Sequence, residues 1–370
     1  MYPYAEAPLF WIHLNTDFPF NLKGVLFFPK FKNTFDFNKN KIHLYSNQVF
    51  VTDSVEQIVP EFLTLLQGVI DSPDIPLNVS RSYLQSDNNV KKITAHIVKK
   101  VADKLHEIFS NNREEFEQKW ESLSVFVKYG ILSDDKFYER AKDYCLLENT
   151  DKKYFTIQEY QDKINVLQKD KHNFTTALYT NDSEAQDSYI QNVKKQSYDV
   201  LNMNTAIDSH FMQFLESKLE NFTFKRVDAE TVDKLIEKEE TATSILSKEE
   251  EEKLKKIFED TIKTKGATIE LKALSPDDLP VQITKNEFMR RMQDMAKMGG
   301  GNPYSFMGDM GENYTVVVNT NHPLANKILQ NESNAMLTVK QLYDLAMLSQ
   351  GMLKGKELTE FISRSVSGMN

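Results

Sequence analysis

The chain is poor in cysteine, with Cys145 as the single thiol among its 370 residues. One thiol cannot close a disulfide within the chain, so the sequence excludes a disulfide-stapled secreted domain and predicts a reducing, cytoplasmic location. Long apolar runs are missing too, because LFWI (9–12) and GVLFF (24–28) have strand length and are far too short to cross a membrane. The opening MYPYAEAP lacks the basic and apolar regions of a signal peptide. These absences predict a soluble globular protein with no membrane partner.

Positive charge is in deficit, since 45 Lys and Arg stand against 54 Asp and Glu for a net charge of −9. Proteins that bind nucleic acid need a basic surface to neutralise phosphates. The one lysine-rich stretch, KKITAHIVKK (91–100), has the pattern of a solvated helix face. We therefore expect no nucleic-acid partner.

The motifs of self-contained enzymes are absent as well. The seven histidines form no HExxH pair, and no G-x-S-x-G nucleophile elbow occurs. GMLKGK (351–356) is one residue short of a phosphate-binding loop, and Glu357 stands where such a loop has the Ser or Thr that holds magnesium. The residues predict no metal site, no resident cofactor and no independent active site.

Strand and helix patterns alternate in the first third of the chain. LFWIHL (9–14), LKGVLFFP (22–29) and KIHLYSNQVFVTD (41–53) have the apolar and aromatic composition of strands. Apolar residues at helical spacing predict an amphipathic helix over 86–109. They are Val90, Ile93, Ile97, Val101, Leu105 and Ile108. This alternation predicts a layered αβα domain within an α/β (α+β) protein.

The remaining chain predicts a helical connector, a smaller α/β unit with strands at TTALYT (175–180) and YDVLNM (198–203), and a third domain that begins where the composition turns acidic. Cys145 lies on the apolar side of a connector helix, which predicts a buried structural thiol. Ser247 and Glu250 match a capping box at a helix start. The predicted domains are 1–127, 128–227 and 228–370, the last being an α/β domain that ends in a helix pair.

Arg81 stands in DIPLNVSRSYLQ (74–85), with no acidic residue between Asp74 and Asp87. Two interpretations are open. The arginine can pair with Asp71 or Asp74 as an ordinary loop residue, which composition favours. Alternatively it can reach a phosphate that is bound by another domain, since a guanidinium is planar and permanently charged.

The chain resembles the heat-shock protein 90 family, and within it the bacterial HtpG type. LFWIHLNTDFPFNLKGVLFFPK (9–30) and LYSNQVFVTDSVEQIVPEFLTLLQGVIDSPDIPLNVSRSYLQ (44–85) carry the resemblance, the second most specifically. YFTIQEYQDKI (154–164) and the region from Asp228 onward agree in pattern and order. The resemblance implies the middle and C-terminal domains of a stress-response chaperone, a fragment whose N-terminal ATPase domain is missing.

In that family the arginine of the N-x-S-R-x-x-L-Q motif contacts the γ-phosphate of ATP held by the N-terminal domain. The resemblance therefore implies this role for Arg81, with Asn78 and Gln85 as supporting contacts; Ser82 stands where the family usually has Glu. ATP and magnesium would belong to the full-length protein, and this chain alone is expected to hydrolyse no ATP. The tail SVSGMN lacks the acidic motif that recruits tetratricopeptide co-chaperones.

The segment NEFMRRMQDMAKMGGG (286–301) is rich in methionine at the position of the family's client-binding helix. Methionine is flexible and polarisable, which suits surfaces that fit many partners; the alternative is a thick core helix. We expect the residues that bind unfolded clients to be Met289, Met292, Met295, Met298, Phe306 and Met307.

Two amphipathic helices near the end of the chain predict a homodimer built as a four-helix bundle. The predicted dimer contacts are Val339, Leu342, Leu345, Ala346, Leu358, Phe361, Ile362 and Val366. In the alternative, both helices pack on their own domain. Two other functional classes stay open beside the chaperone: a scaffold or adaptor without nucleotide coupling, and an independent enzyme, which the motif search disfavours.

Overall fold

The computed structural model of the chain describes residues 7–30, 42–53, 59–75, 88–238, 243–285, 291 and 313–367. Its contacts divide the chain into two compact units. Unit 1 comprises residues 1–147 and 154–158, and unit 2 comprises 148–153 and 159–370. The predicted domain boundaries at 127 and 227 stay predictions.

Unit 1 contains a five-stranded sheet in the order β1-β2-β5-β3-β4, in which β3 and β5 are parallel and the other neighbours antiparallel. Its strands are β1 (Phe10–Thr16), β2 (Leu22–Phe28), β3 (Ile42–Ser46), β4 (Val49–Thr52) and β5 (Gln67–Asp71). Phe10, Ile12 and Leu14 are buried while Trp11 and His13 are exposed, so one face of the sheet packs and the other lies open.

The helices of unit 1 are α1 (Asn88–Asn111), α2 (Arg113–Ser133) and α3 (Asp135–Ala141). Phe126 of α2 lies against Phe10, Phe28 and Phe62, with ring centroids 6.4, 5.0 and 5.6 Å away, and this aromatic cluster joins the helix to the buried face of the sheet. A short pair of strands, β6 (Leu146–Glu148) and β7 (Tyr154–Thr156), follows in sequence.

The first part of unit 2 is a parallel three-stranded sheet with helical crossovers. Its strands are β8 (Thr175–Thr180), β9 (Val200–Asn202) and β10 (Phe222–Arg226), in the order β10-β8-β9. Its helices are α4 (Ile157–Ile164), α5 (Asp187–Lys195), α6 (Asp208–Lys218) and α7 (Val232–Leu235). Every residue of β8 is buried, as expected for the central strand of a parallel sheet.

The second part of unit 2 packs four helices around another three-stranded sheet, in the order β11-β13-β12. The strands are β11 (Ala267–Lys272), β12 (Val281–Thr284) and β13 (Tyr314–Asn319). The helices are α8 (Lys248–Thr261), α9 (Pro323–Gln330), α10 (Glu332–Ser349) and α11 (Gly355–Ser367).

Polar contacts join the two parts of unit 2. The hydroxyl of Tyr189 donates to the carbonyl of Ile283 at 3.2 Å, and burial, with the charge of Asp228, raises the pKa of this tyrosine to about 12. The hydroxyl therefore keeps its proton and its hydrogen bond at neutral pH. Arg291 donates to both carboxylate oxygens of Glu216 on α6, at 2.8 and 3.1 Å.

The local predictions from sequence are confirmed where the structure describes them. The fold mixes helices with several sheets, strands form at 10–16, 22–28 and 175–180, and the amphipathic helix runs to Asn111. Cys145 is fully buried as predicted, but it follows the end of α3 at Ala141 and does not lie on a helix. Within the described ranges, no helix has the length and apolar character needed to cross a membrane.

The capping box at the start of α8 is also confirmed. The Ser247 hydroxyl accepts from the Glu250 backbone N–H at 3.3 Å, and the Glu250 carboxylate accepts from the Ser247 N–H at 2.8 Å. Leu254 and Phe258 of this helix are buried in the core of unit 2. The cap therefore fixes the entry of a helix on which that core depends.

Replacing Ser247 by Ala should lower the free energy of unfolding by about 1 kcal/mol, because the first-turn N–H groups lose their acceptor. Urea unfolding followed by circular dichroism measures this loss. Glu249→Ala, which alters the same turn outside the box, should change stability by only a few tenths of a kcal/mol. Equal losses in both variants would contradict a specific role of the cap.

Candidate functional site: the C-terminal helix pair

Helices α10 and α11 form an antiparallel pair that is set by a glycine turn. Helix α10 ends at Ser349, and Gly351 follows with φ +62°, in the left-handed region that glycine adopts without strain. The N–H of Gly351 donates to Leu348 O at 2.9 Å, and that of Met352 to Met347 O at 2.9 Å. Gly351 thus ends α10.

The inner face of α10 belongs to the chain's own core. Val339 is fully buried and Ala346 is 6% exposed, against the strands and helices of the second part of unit 2. The hydroxyls of Tyr343 and Tyr314 are 2.5 Å apart and tie α10 to β13. Burial, followed by this hydrogen bond, raises the pKa of Tyr314, so Tyr314 keeps its proton at physiological pH.

Among the described residues, the outer surface of the pair is apolar and exposed. Five large hydrophobic side chains on it are between 41% and 58% exposed: Leu337, Leu345, Leu348, Ile362 and Val366. Met336 is 59% exposed but is rotated by about 180° from Leu345 about the helix axis. We call the five residues the outer apolar surface. Large exposed apolar patches mark places where another protein binds.

The predicted dimer contacts fall into three groups. Val339, Ala346 and Phe361 are buried in their own core, and Leu342 and Leu358 are partly buried against it. Leu345, Ile362 and Val366 lie on the outer apolar surface. Dimerisation itself stays a prediction, and these last three residues are the ones free to meet a second copy.

Sequence reasoning missed Leu337 and Leu348. Leu337 and Leu348 are eleven residues apart, three turns of helix, so they share one stripe of α10. The periodicity was present in the sequence, but α10 is apolar on more than one side. Which side faces the core depends on where the strands lie.

A polar network crosses between the two helices. Asp344, only 1% exposed, accepts from Lys340 Nζ at 2.7 Å and from the guanidinium of Arg364. The Nε of Arg364 donates to Gln341 Oε1 at 2.9 Å, and the Gln341 amide donates to Ser365 Oγ at 2.9 Å. Three of these four hydrogen bonds join α10 to α11.

The two other predicted sites lie outside the described residues. This applies to Asn78, Arg81 and Gln85 of the loop, and to the client-binding set Met289, Met292, Met295, Met298, Phe306 and Met307. Of the methionine-rich segment the structure describes Arg291 alone, held by Glu216 as given above.

Comparisons with known proteins agree on one family. The profile of the Hsp90 protein family matches residues 3–369. The chain is 49% identical to the chaperone protein HtpG of Porphyromonas gingivalis over 339 residues, which is 91% of this chain and 49% of that protein. It is 48% identical to the HtpG of Bacteroides fragilis over 90% of the chain and 49% of that protein. It is 26% identical to the HtpG of Geobacter metallireducens over 94% of the chain and 54% of that protein. The chain spans about half the length of these relatives.

Proposed function

The chain belongs to the Hsp90 protein family, and on that premise we propose that it is the middle and C-terminal part of a molecular chaperone. In this proposal the chain binds unfolded or partly folded client proteins, pairs with a second copy through α10 and α11, and completes the ATPase site of an N-terminal domain. The proposed domain order is a layered αβα part, a smaller α/β part and a dimerisation domain. The outer apolar surface is the observation that carries the pairing.

A second copy suits the outer apolar surface for two reasons. A twofold axis presents the same patch from both subunits, so the surface needs only to complement itself. Two helices from each copy make a four-helix bundle in which the exposed side chains of both become core. Full burial of a Leu, Ile or Val side chain contributes roughly 1.5–3 kcal/mol, so the five side chains of the outer apolar surface from each copy supply a substantial driving force.

Replacing Leu345 and Ile362 together by Asp should separate the subunits, because each carboxylate would be buried without a partner in the bundle. Light scattering after gel filtration should give about twice the chain mass of 42.9 kDa for the wild type and a single chain mass for the variant. Val166→Asp, at a position 80% exposed elsewhere in unit 2, should stay dimeric. A wild-type chain that is monomeric at micromolar concentration would refute the pairing.

We propose that Arg81 supplies a donor to the γ-phosphate of ATP, with Asn78 and Gln85 beside it. ATP and magnesium, when bound to the N-terminal domain, supply the reacting phosphate and its counter-charge. A guanidinium donates two parallel hydrogen bonds to phosphate oxygens and keeps its charge at any working pH. Because the donor comes from another domain, hydrolysis would depend on the closure of the two domains.

In the full-length protein, Arg81→Ala should abolish most ATP turnover, by up to about 10³-fold, while ATP binding and the thermal midpoint stay unchanged. Arg81→Lys, which keeps the charge but loses the planar fork, should recover little activity. The chain without the N-terminal domain should hydrolyse no ATP. Undiminished turnover in the Ala variant would return Arg81 to an ordinary loop arginine and would favour a scaffold without nucleotide coupling.

Clients are proposed to bind the methionine-rich segment, since flexible thioethers adapt to many apolar sequences. Met295→Ser with Met298→Ser should weaken the capture of an unfolded model protein, measured as suppression of its aggregation, and should leave the thermal midpoint unchanged. Met212→Ser provides the matched control, because Met212 is fully buried in unit 2 and its loss should lower the midpoint. A collapse of the midpoint in the double variant would place these methionines in a core.

A further inference from the structure

Asp344 occupies an unusual position for a carboxylate. Residues 337, 341, 344 and 348 follow one another at helical spacing, so Asp344 lies on the same stripe of α10 as the exposed Leu337 and Leu348. Yet Asp344 is buried to 1% exposure, while Leu337 is 55% and Leu348 is 41% exposed. Here a charged residue is buried between two apolar residues that are exposed.

Helix α11 accounts for the burial. The guanidinium of Arg364 binds Asp344 Oδ2 and also donates from Nε to Gln341, so one side chain of α11 contacts two successive turns of α10. The ring of Phe361 lies 5.8 Å below the same guanidinium and limits its freedom. The Gln341–Ser365 hydrogen bond adds a second connection between the helices.

Such an ion pair contributes little to stability but restricts how the two helices can be aligned. Taking two charges out of water costs about what their attraction returns, and apolar replacements often serve stability equally well. Apolar side chains, however, allow one helix to slide or rotate on another, whereas an ion pair with fixed geometry forms in a single register. The network therefore specifies the position of α11 on α10 more than it strengthens the packing between the two helices.

The register of α11 on α10 determines which side chains of α11 are exposed. Residues of a helix are rotated by about 100° from one to the next. Ile362 and Val366 are two positions before and after Arg364, so both point about 160° away from it. When Arg364 faces Asp344, Ile362 and Val366 must face outward, and they are 52% and 58% exposed.

We propose that Asp344 is a positioning residue for subunit pairing: its ion pair with Arg364 fixes the rotation and register of α11, so that Ile362 and Val366 form one continuous surface with the exposed leucines of α10 for a second copy of the chain. The proposal rests on the proposed dimer. It concerns the geometry of the surface, whereas the proposed dimer depends on the apolar character of the surface. The two proposals therefore fail in different experiments.

The decisive variant replaces Asp344 and Arg364 together by Leu, which removes the ion pair without leaving an unpaired buried charge. Its dimer dissociation constant, from sedimentation velocity on a dilution series of the whole chain, should rise roughly tenfold or more. Its unfolding midpoint should stay unchanged when measured in the Leu345→Asp, Ile362→Asp background, where pairing makes no contribution. Asp344→Asn should weaken pairing in the same direction.

Lys340→Met is the matched control, since it removes the other partner of the same carboxylate. Lys340 lies on α10 itself, so this contact does not connect the helices, and the dissociation constant should stay within about twofold of wild type. Three outcomes overturn the proposal: a double-Leu variant that pairs as tightly as wild type, a lower unfolding midpoint of the double-Leu change in the Leu345→Asp, Ile362→Asp background, or equal weakening of pairing by Lys340→Met. A monomeric wild type instead overturns the dimer.

Discussion

Helix α10 carries more apolar surface than the described residues of its chain cover, and this constraint shapes the C-terminal part of the molecule. The sheet and α8 lie on one side of the helix and bury Val339 and Ala346 there. The opposite side, with Leu337 and Leu348, remains exposed. A helix that is apolar on two sides is stable in water when something covers the second side. The proposed pairing of two copies would cover this second side, and no other segment would be required for it.

The sequence predicted the elements whose signals are local. The strands near the N-terminus alternate with a period of two, the helix at 88–111 repeats at helical spacing, and Ser247 with Glu250 specify a cap within four residues. Which side of α10 is core could not be predicted in this way. Leu342 and Leu345 are the same amino acid, but their environments differ. The difference depends on where β12 and β13 lie, and these strands are distant from both leucines in sequence.

The candidate site was predictable to a similar extent. The exposed positions Leu345, Ile362 and Val366 were expected from amphipathic spacing, whereas the Asp344–Arg364 pair was not, because twenty residues and a glycine turn separate the two partners. Such a pairing depends on the angle at which one helix folds back on the other. The roles proposed for Arg81 and the methionine-rich segment come from the family resemblance, since neither has a local pattern that distinguishes a functional residue from an ordinary one.

Three partly or fully buried ion pairs of unit 2 restrict its geometry. Arg226 donates from Nε to Asp228 at 2.7 Å just beyond the end of β10, Glu216 holds Arg291 beside the same strand, and Asp344 holds Arg364 across the final helix pair. The first pair is local, whereas the second and third join residues far apart in sequence, where apolar contacts alone would allow a shift. Apolar burial therefore supplies the free energy of this fold, and a small number of ion pairs selects one arrangement among those of similar burial. In the proposed dimer both copies must present the same surface, so the second contribution would matter as much as the first.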